Sequence, residues 1–336
     1  MFLKEFQEEY INKLLTSTKD FINEKGSHKI VFESPTGSGK TIMMAEFLKQ
    51  VVDRKVSKKN ICFIWMTPRK TLARQSKKKL EKYYSESSTI KCLYLNNLKK
   101  NEIPENNLIA INWESINKKN NIFIEENENE FNLTKILENT KIKGLNTILI
   151  LDESHHTATS DISTKLINEI DAKLTIEVSA TPVIKNPDAL VKIPLNKVKK
   201  AGLIKKNIEL NKLSKNILEN NRFNSELSSG DQFFVLKKAL EKRDEISNQY
   251  SLIKKKINPL LIIQLPDVKT EQEKRLSSDV VKILREKYKI TVENEKLAIW
   301  LSGVKKNCKN IEHNTHKSEV IIIKNAIALG WDCPRA

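Results

Sequence analysis

Ser34-Pro35-Thr36-Gly37-Ser38-Gly39-Lys40-Thr41 stands between the apolar run Ile30-Val31-Phe32 and a stretch with helical spacing. These residue types in this order suit the holding of a nucleoside triphosphate. Glycines at 37 and 39 let the backbone turn tightly, so that the N–H groups of Thr36, Gly37, Ser38 and Gly39 can aim at phosphate oxygens. Lys40 adds positive charge at the terminal phosphates, and the Thr41 hydroxyl suits Mg²⁺. The strict pattern has glycine where this chain has Ser34, a residue still small enough for the turn. An ordinary turn with the same letters is the competing reading; the strand before it and the helix after it weigh against that.

A second chemical group follows the apolar strand Thr147-Ile148-Leu149-Ile150: Leu151-Asp152-Glu153-Ser154-His155-His156. At the carboxyl end of a strand, Asp152 is placed to hold the metal through water, and Glu153 to polarise a water attacking the terminal phosphate. A polar loop leaving a buried strand is the alternative. Asp152 and Glu153 gain their meaning from the cradle upstream.

The elements that must position these groups alternate along the first two hundred residues, apolar runs with helical patterns, which is the signature of a parallel sheet covered on both faces. Strands are expected over 29–33, 60–66, 89–95, 107–112, 146–151 and 174–179, and helices over 40–53, 69–84 and 161–170. The polar stretch 117–144, centred on Glu125-Glu126-Asn127-Glu128-Asn129-Glu130, reads as a solvated insertion. Leu190-Val191-Lys192-Ile193-Pro194 reads as an extended passage toward a second unit. There a charged helix over 230–257 precedes buried strands at 260–265, 298–301 and 320–323.

Composition sets the outer limits. The chain has 336 residues, 39% of them hydrophobic, enough for two domains with cores of their own. No apolar run approaches membrane-spanning length and the N-terminus has no signal-like layout, so a cytoplasmic protein without a membrane partner is expected. Cys62, Cys92, Cys308 and Cys333 lack paired spacing and read as reduced thiols. Cys308, His313 and His316 supply three potential ligands, too few for a structural zinc site. A net charge of +17 points toward a polyanion such as nucleic acid, although lysines that merely solvate helix faces give the same sum.

Taken together, the motifs resemble those of a superfamily 2 helicase-like motor, specifically the Res subunit of type III restriction-modification enzymes. Leu3-Lys4-Glu5-Phe6-Gln7 is similar to the family's adenine-reading segment, with Gln7 on the base. Thr67-Pro68-Arg69-Lys70-Thr71-Leu72-Ala73-Arg74-Gln75 resembles the motif that grips one nucleic-acid strand, which puts Arg69, Arg74 and Gln75 there. Asn112-Trp113-Glu114 is similar to a further strand-contacting motif, with Trp113 in that role. Ser179-Ala180-Thr181-Pro182 resembles the segment coupling nucleotide state to the track through the Ser179 and Thr181 hydroxyls, and His155 is the matching coupling residue of the Asp-Glu-Ser-His run. Ala201-Gly202-Leu203-Ile204 is similar to the passage between motor halves. Gly330-Trp331-Asp332-Cys333-Pro334-Arg335-Ala336 resembles the second half's GWDxPRA motif, which places Asp332 near the nucleotide.

This resemblance implies tandem RecA-like P-loop domains of α/β class, the first over 1–200, a linker over 201–229 and an incomplete second over 230–336. It implies ATP and Mg²⁺ as cofactors and ATP-driven translocation along double-stranded DNA. A modification methyltransferase subunit is the implied partner, and a separately encoded C-terminal Res fragment a further one. The family continues past GWDxPRA into an arginine-bearing motif and a nuclease domain, so weak or absent turnover is expected of these residues alone. Two other readings stay open: a superfamily 2 helicase outside restriction, and a non-catalytic ATP- and DNA-binding remnant.

Overall fold

A computed structural model describes residues 3–98, 101–113, 133–154, 161–204, 229–265, 270–301, 303–324, 331 and 333–336. The chain divides into two compact units, Met1–Glu209 and Leu210–Ala336.

In the first unit, α1 (Glu5–Ile22) leads to β1 (His28–Glu33), the cradle and α2 (Lys40–Asp53). Then come β2 (Ile61–Thr67), α3 (Lys70–Tyr84), β3 (Lys91–Leu93), β4 (Asn107–Asn112), α4 (Leu133–Ile142) and β5 (Asn146–Asp152). The unit continues through α5 (Asp161–Ile170), β6 (Leu174–Ser179), β7 (Ala189–Lys192) and α6 (Leu195–Lys200). Its seven strands lie in the order β3-β4-β2-β5-β6-β1-β7, and every pairing is parallel. Parallel strands need crossovers, and the helices that supply them cover both faces. On one face Met43, Met44, Phe47 and Leu48 of α2 join Phe6, Ile11 and Leu14 of α1 over Phe32, Trp65 and Ile150. On the other, Leu133, Ile136 and Leu137 of α4 and Leu166 and Ile170 of α5 pack on Ile64, Met66 and Leu149. Even and odd residues of β2 and β5 thus serve opposite cores, so these strands read as unbroken apolar runs. Full burial of each such Leu, Ile or Phe contributes roughly 1.5–3 kcal/mol.

Three expectations are corrected here. The polar stretch was expected to run to 144, yet 133–142 is a helix, because Leu133, Ile136, Leu137 and Thr140 recur at helical spacing and are buried. The Ile103 N–H donates to Thr140 Oγ1 at 2.9 Å, and that hydroxyl donates to the Ile136 carbonyl at 2.7 Å. The segment after Ala189 is not a free passage: β7 pairs with β1 and forms the sheet edge, with Val191 buried in the core and Ala189 packed against it. The strand expected over 89–95 is three residues long and gives way to a 3₁₀ turn at Leu95–Asn97.

The second unit has α7 (Ser229–Leu252), β8 (Leu261–Leu265), α8 (Thr270–Tyr288), β9 (Leu297–Leu301), β10 (Val304–Lys306) and β11 (Val320–Lys324). Its sheet runs β10-β9-β11-β8, parallel except for the β9–β10 hairpin. β11, flanked on both sides, buries Val320 through Ile323. Among the described residues, no helix is long and apolar enough to cross a membrane.

Candidate nucleotide site

The cradle, the β5 carboxylates, the Thr67 motif and the turn after β6 leave their strands at the carboxyl edge of the one sheet. β1 leads directly into Ser34, β6 ends at Ser179 and β5 at Asp152, and these three strands are neighbours. Thr67 of β2 lies beside Asn112 of β4 on the far side of β5. Ligands of open parallel sheets bind at this edge.

The cradle has the backbone its glycines predict. Gly37 and Gly39 hold φ of +82° and +89°, in the left-handed region that side chains disfavour. A Cβ on Gly39 would come within 2.6 Å of Gln7 Nε2, and one on Gly37 within 2.9 Å of the Ile204 side chain. Gly39 caps α2, whose first residues are Lys40 and Thr41, so the amino end of a fourteen-residue helix opens onto the loop. Ser34 Oγ and Ser38 Oγ are 2.5 Å apart. Ser34 N–H donates to the Ser179 carbonyl at 3.0 Å. Thr36 and Gly37 are exposed while Ser34, Ser38 and Lys40 are buried.

Lys40 Nζ, with its residue 8% exposed, is 3.2 Å from Glu153 Oε1. Glu153 has φ +55°, uncommon for a residue with a side chain, and its N–H donates to the Val178 carbonyl at 3.1 Å. Next to it, Asp152 is buried and accepts from Ser76 Oγ of α3 at 3.4 Å. Burial, and then the neighbouring Glu153 charge, push the Asp152 carboxyl up to about 7, against the opposing pull of Lys40, Trp65 and Ser76. The Asp152 carboxylate and the Thr41 hydroxyl at the start of α2 are hard oxygen donors of the kind Mg²⁺ takes.

Gln7 is buried against the loop. Its Nε2 donates to the Ser38 carbonyl at 2.9 Å, while Oε1 accepts the Lys4 N–H at 2.9 Å at the start of α1. The side chain expected on a base therefore also ties α1 to the cradle.

The residues expected on nucleic acid divide. Arg69, partly exposed, precedes α3; Arg74 is exposed and Gln75 partly so on the first turns of that helix. Trp113 is 5% exposed and belongs to the core that holds Leu133 and Leu137. That is a correction, since a buried indole offers no ring face to a strand. Of the two coupling hydroxyls, Ser179 is buried and its Oγ accepts the Thr181 N–H at 3.1 Å, while Thr181 is exposed. His155 and Asp332 lie outside the described residues, as do Glu114, His156 and Gly330.

Sequence reasoning passed over two residues. Glu177, inside β6, is fully buried; its Oε1 accepts from Ser154 Oγ and from the Val183 N–H (2.7 Å), its Oε2 from the Ile184 N–H (2.8 Å). The signal was a carboxylate inside a strand with β1 and β5 on either side, where solvent is excluded. Ser76 is the other, one residue past the expected motif.

In the second unit Arg335, 4% exposed, donates to three main-chain carbonyls: Nε to Ile311 (2.7 Å), Nη1 to Asn258 (2.6 Å) and both Nη1 and Nη2 to Ser318 (3.0 Å). Cys308 Sγ, His313 Nδ1 and His316 Nδ1 make local bonds, to the Ile299 and Lys306 carbonyls, to Thr315 and to the Ser318 N–H. Among the described residues no group of three or more His, Cys, Asp or Glu is placed to hold a metal ion.

Comparison with known proteins agrees with the motif order. No curated protein matches the chain. Among solved structures it is similar to S. cerevisiae Dbp5 bound to RNA and ADP BeF3, with 14% identity and a TM-score of 0.44 over 99% of this chain and 77% of that one. A S. cerevisiae Dbp5 variant bound to Nup159, a Gle1 variant, IP6 and ADP gives 14% identity and a TM-score of 0.45 over 96% and 76%. A family model described as type III restriction enzyme, res subunit, matches residues 1–184. That span takes in the cradle, the β5 carboxylates and the turn after β6, more than half of the whole, and the chain belongs to the type III restriction enzyme res subunit family.

Proposed function

We propose that this chain is the ATP-driven motor portion of a type III restriction subunit, acting on double-stranded DNA together with a modification methyltransferase subunit. The observation that carries the reading is the 3.2 Å approach of Lys40 to Glu153 beside two left-handed glycines. A triphosphate in the cradle offers Lys40 a stronger anion, and Glu153, released from the ammonium, is then available to polarise water. Thr36 to Gly39 would hold the phosphates and Gln7 the base, with Thr41 and Asp152 holding Mg²⁺. The metal, when bound, supplies charge neutralisation on the phosphates. Arg69, Arg74 and Gln75 would grip the DNA backbone, so binding would be salt-sensitive and largely indifferent to sequence.

A second reading is favoured by Arg335. With its guanidinium committed to main-chain carbonyls, it is not free to face a phosphate. Arginine fingers contribute on the order of 10³ to 10⁵ in rate, so if no arginine reaches the terminal phosphate the protein would bind ATP and DNA with little turnover.

Hydrolysis of ATP with and without DNA, beside a Lys40→Ala control, separates these. Stimulation by DNA above the control is the motor outcome. Uptake of Mg²⁺·ATP without turnover is the binder outcome, and no uptake over the control overturns both.

A further inference from the structure

The Ser154 hydroxyl and the Val183 and Ile184 N–H groups converge on the one fully buried carboxylate of Glu177. Ser154 follows Glu153 on the β5 side, and Val183 and Ile184 follow the Ser179–Pro182 turn on the β6 side. Glu153 itself is held in the left-handed region, with its N–H on the Val178 carbonyl. The Glu177 carboxylate is thus shared between the turn after β6 and the acidic loop after β5: three donors meet its two oxygens, with Glu177 and Ser154 buried and Val183 and Ile184 half-buried. Charge-assisted bonds of this kind are the strong ones, and losing their acceptor leaves the buried Ser154 hydroxyl and two half-buried N–H groups without it.

From this convergence we infer that Glu177 is a positioning residue that locks the Asp152–Ser154 segment and the Ser179–Ile184 segment into one unit. It thereby holds Glu153 where hydrolysis needs it and hands a displacement of either loop to the other. The inference rests on the proposed nucleotide site. It goes beyond that site in giving a role to a residue that touches neither phosphate nor nucleic acid.

The test uses the full chain with Glu177→Gln, Ser154→Ala and the double variant. A glutamine keeps one oxygen for Ser154 and Val183 but turns an NH₂ toward the Ile184 N–H, so it breaks one end of the link while keeping the volume. Amide hydrogen exchange is expected to quicken by ~tenfold or more at both 152–154 and 179–184 in Glu177→Gln, not at the 183–184 end alone. Hydrolysis should fall by ~tenfold or more in kcat with KM for ATP changed less than about threefold, and the double variant should be no worse than the poorer single one. Faster exchange confined to 183–184, additive effects, or unchanged kcat in a folded Glu177→Gln protein would overturn the inference. Failure of the nucleotide reading shows itself separately: wild type and Lys40→Ala then take up nucleotide equally, while the exchange measurement still decides whether Glu177 links the loops.

Discussion

Lys40 Nζ and Glu153 Oε1 form an ion pair at 3.2 Å between the first residue of α2 and the residue that follows β5. Both groups are proposed for the same reaction, one for the phosphates and one for the attacking water. Their mutual attraction makes each the other's competitor for those tasks, and a triphosphate must break the pair to be held.

The two single substitutions should therefore diverge. Lys40→Ala removes the ammonium that the phosphates need, and ATP affinity is expected to fall by ~tenfold or more. Glu153→Gln removes the competing charge, so ATP should bind at least as tightly as in wild type while hydrolysis drops by ~10² or more. Calorimetric titration with Mg²⁺·ATP and a steady-state phosphate-release assay check both; a Glu153→Gln protein that loses affinity would contradict the competition.

Asp152 carries a pH signature. Its carboxyl titrates near 7 in the folded chain, against an ordinary value of 3.8. Between those values the folded state keeps a proton that the unfolded state has released, so stability declines as pH rises from about 4 to about 7 and stays lowered above. At about 1.4 kcal/mol per unit, the cost at pH 8 is on the order of a few kcal/mol. Asp152→Asn lacks that term. Urea unfolding without metal or nucleotide should show its advantage over wild type near zero at pH 4 and largest at pH 8.

Trp113 and Arg74 offer a contrast between core and surface. Trp113→Ala should cost about 3–5 kcal/mol of stability, whereas the folded Trp113→Phe should bind DNA as wild type does. Arg74→Ala should leave the unfolding midpoint within error and reduce the salt slope of DNA binding by about one counterion. A loss of DNA affinity in Trp113→Phe would return the indole to the interface.

Gly39 is constrained twice, by its φ of +89° and by Gln7 Nε2, 2.6 Å from where a Cβ would sit. Gly39→Ala should destabilise by about 1–2 kcal/mol from the backbone alone. Gln7→Ala removes the clash but also the bonds to the Ser38 carbonyl and the Lys4 N–H, so in a thermal scan the double variant should lose less than the sum of the two single losses, the difference being the steric part.

The sheet and the placement of the motifs along its edge were legible because they are written in short-range patterns. Apolar runs of five to seven residues ending in Ser34, Thr67, Asp152 and Ser179 specify strands and their carboxyl edge without any knowledge of pairing. What eluded the pattern depends on neighbours distant in the chain. β7 could not be separated from a linker, since Val191 alone of its residues is buried and the strand exists by its bonds to β1. Trp113 reads the same in a core or at a surface until α4 packs beside it. Glu177 looks like a solvent-facing residue of an alternating strand, Leu174-Thr175-Ile176-Glu177-Val178-Ser179, until strands on both flanks and a covered second face remove the solvent.

The bond from the Ser34 N–H to the Ser179 carbonyl splices the floor of the cradle to the tip of the adjoining strand. Were that floor to shift on taking up a phosphate, the Ser179 peptide would be pulled with it, with no side chain as intermediary. News of occupancy would then begin its journey in the main chain itself, and of the substitutions at either position only Ser34→Pro, which deletes the N–H, would silence it at the source.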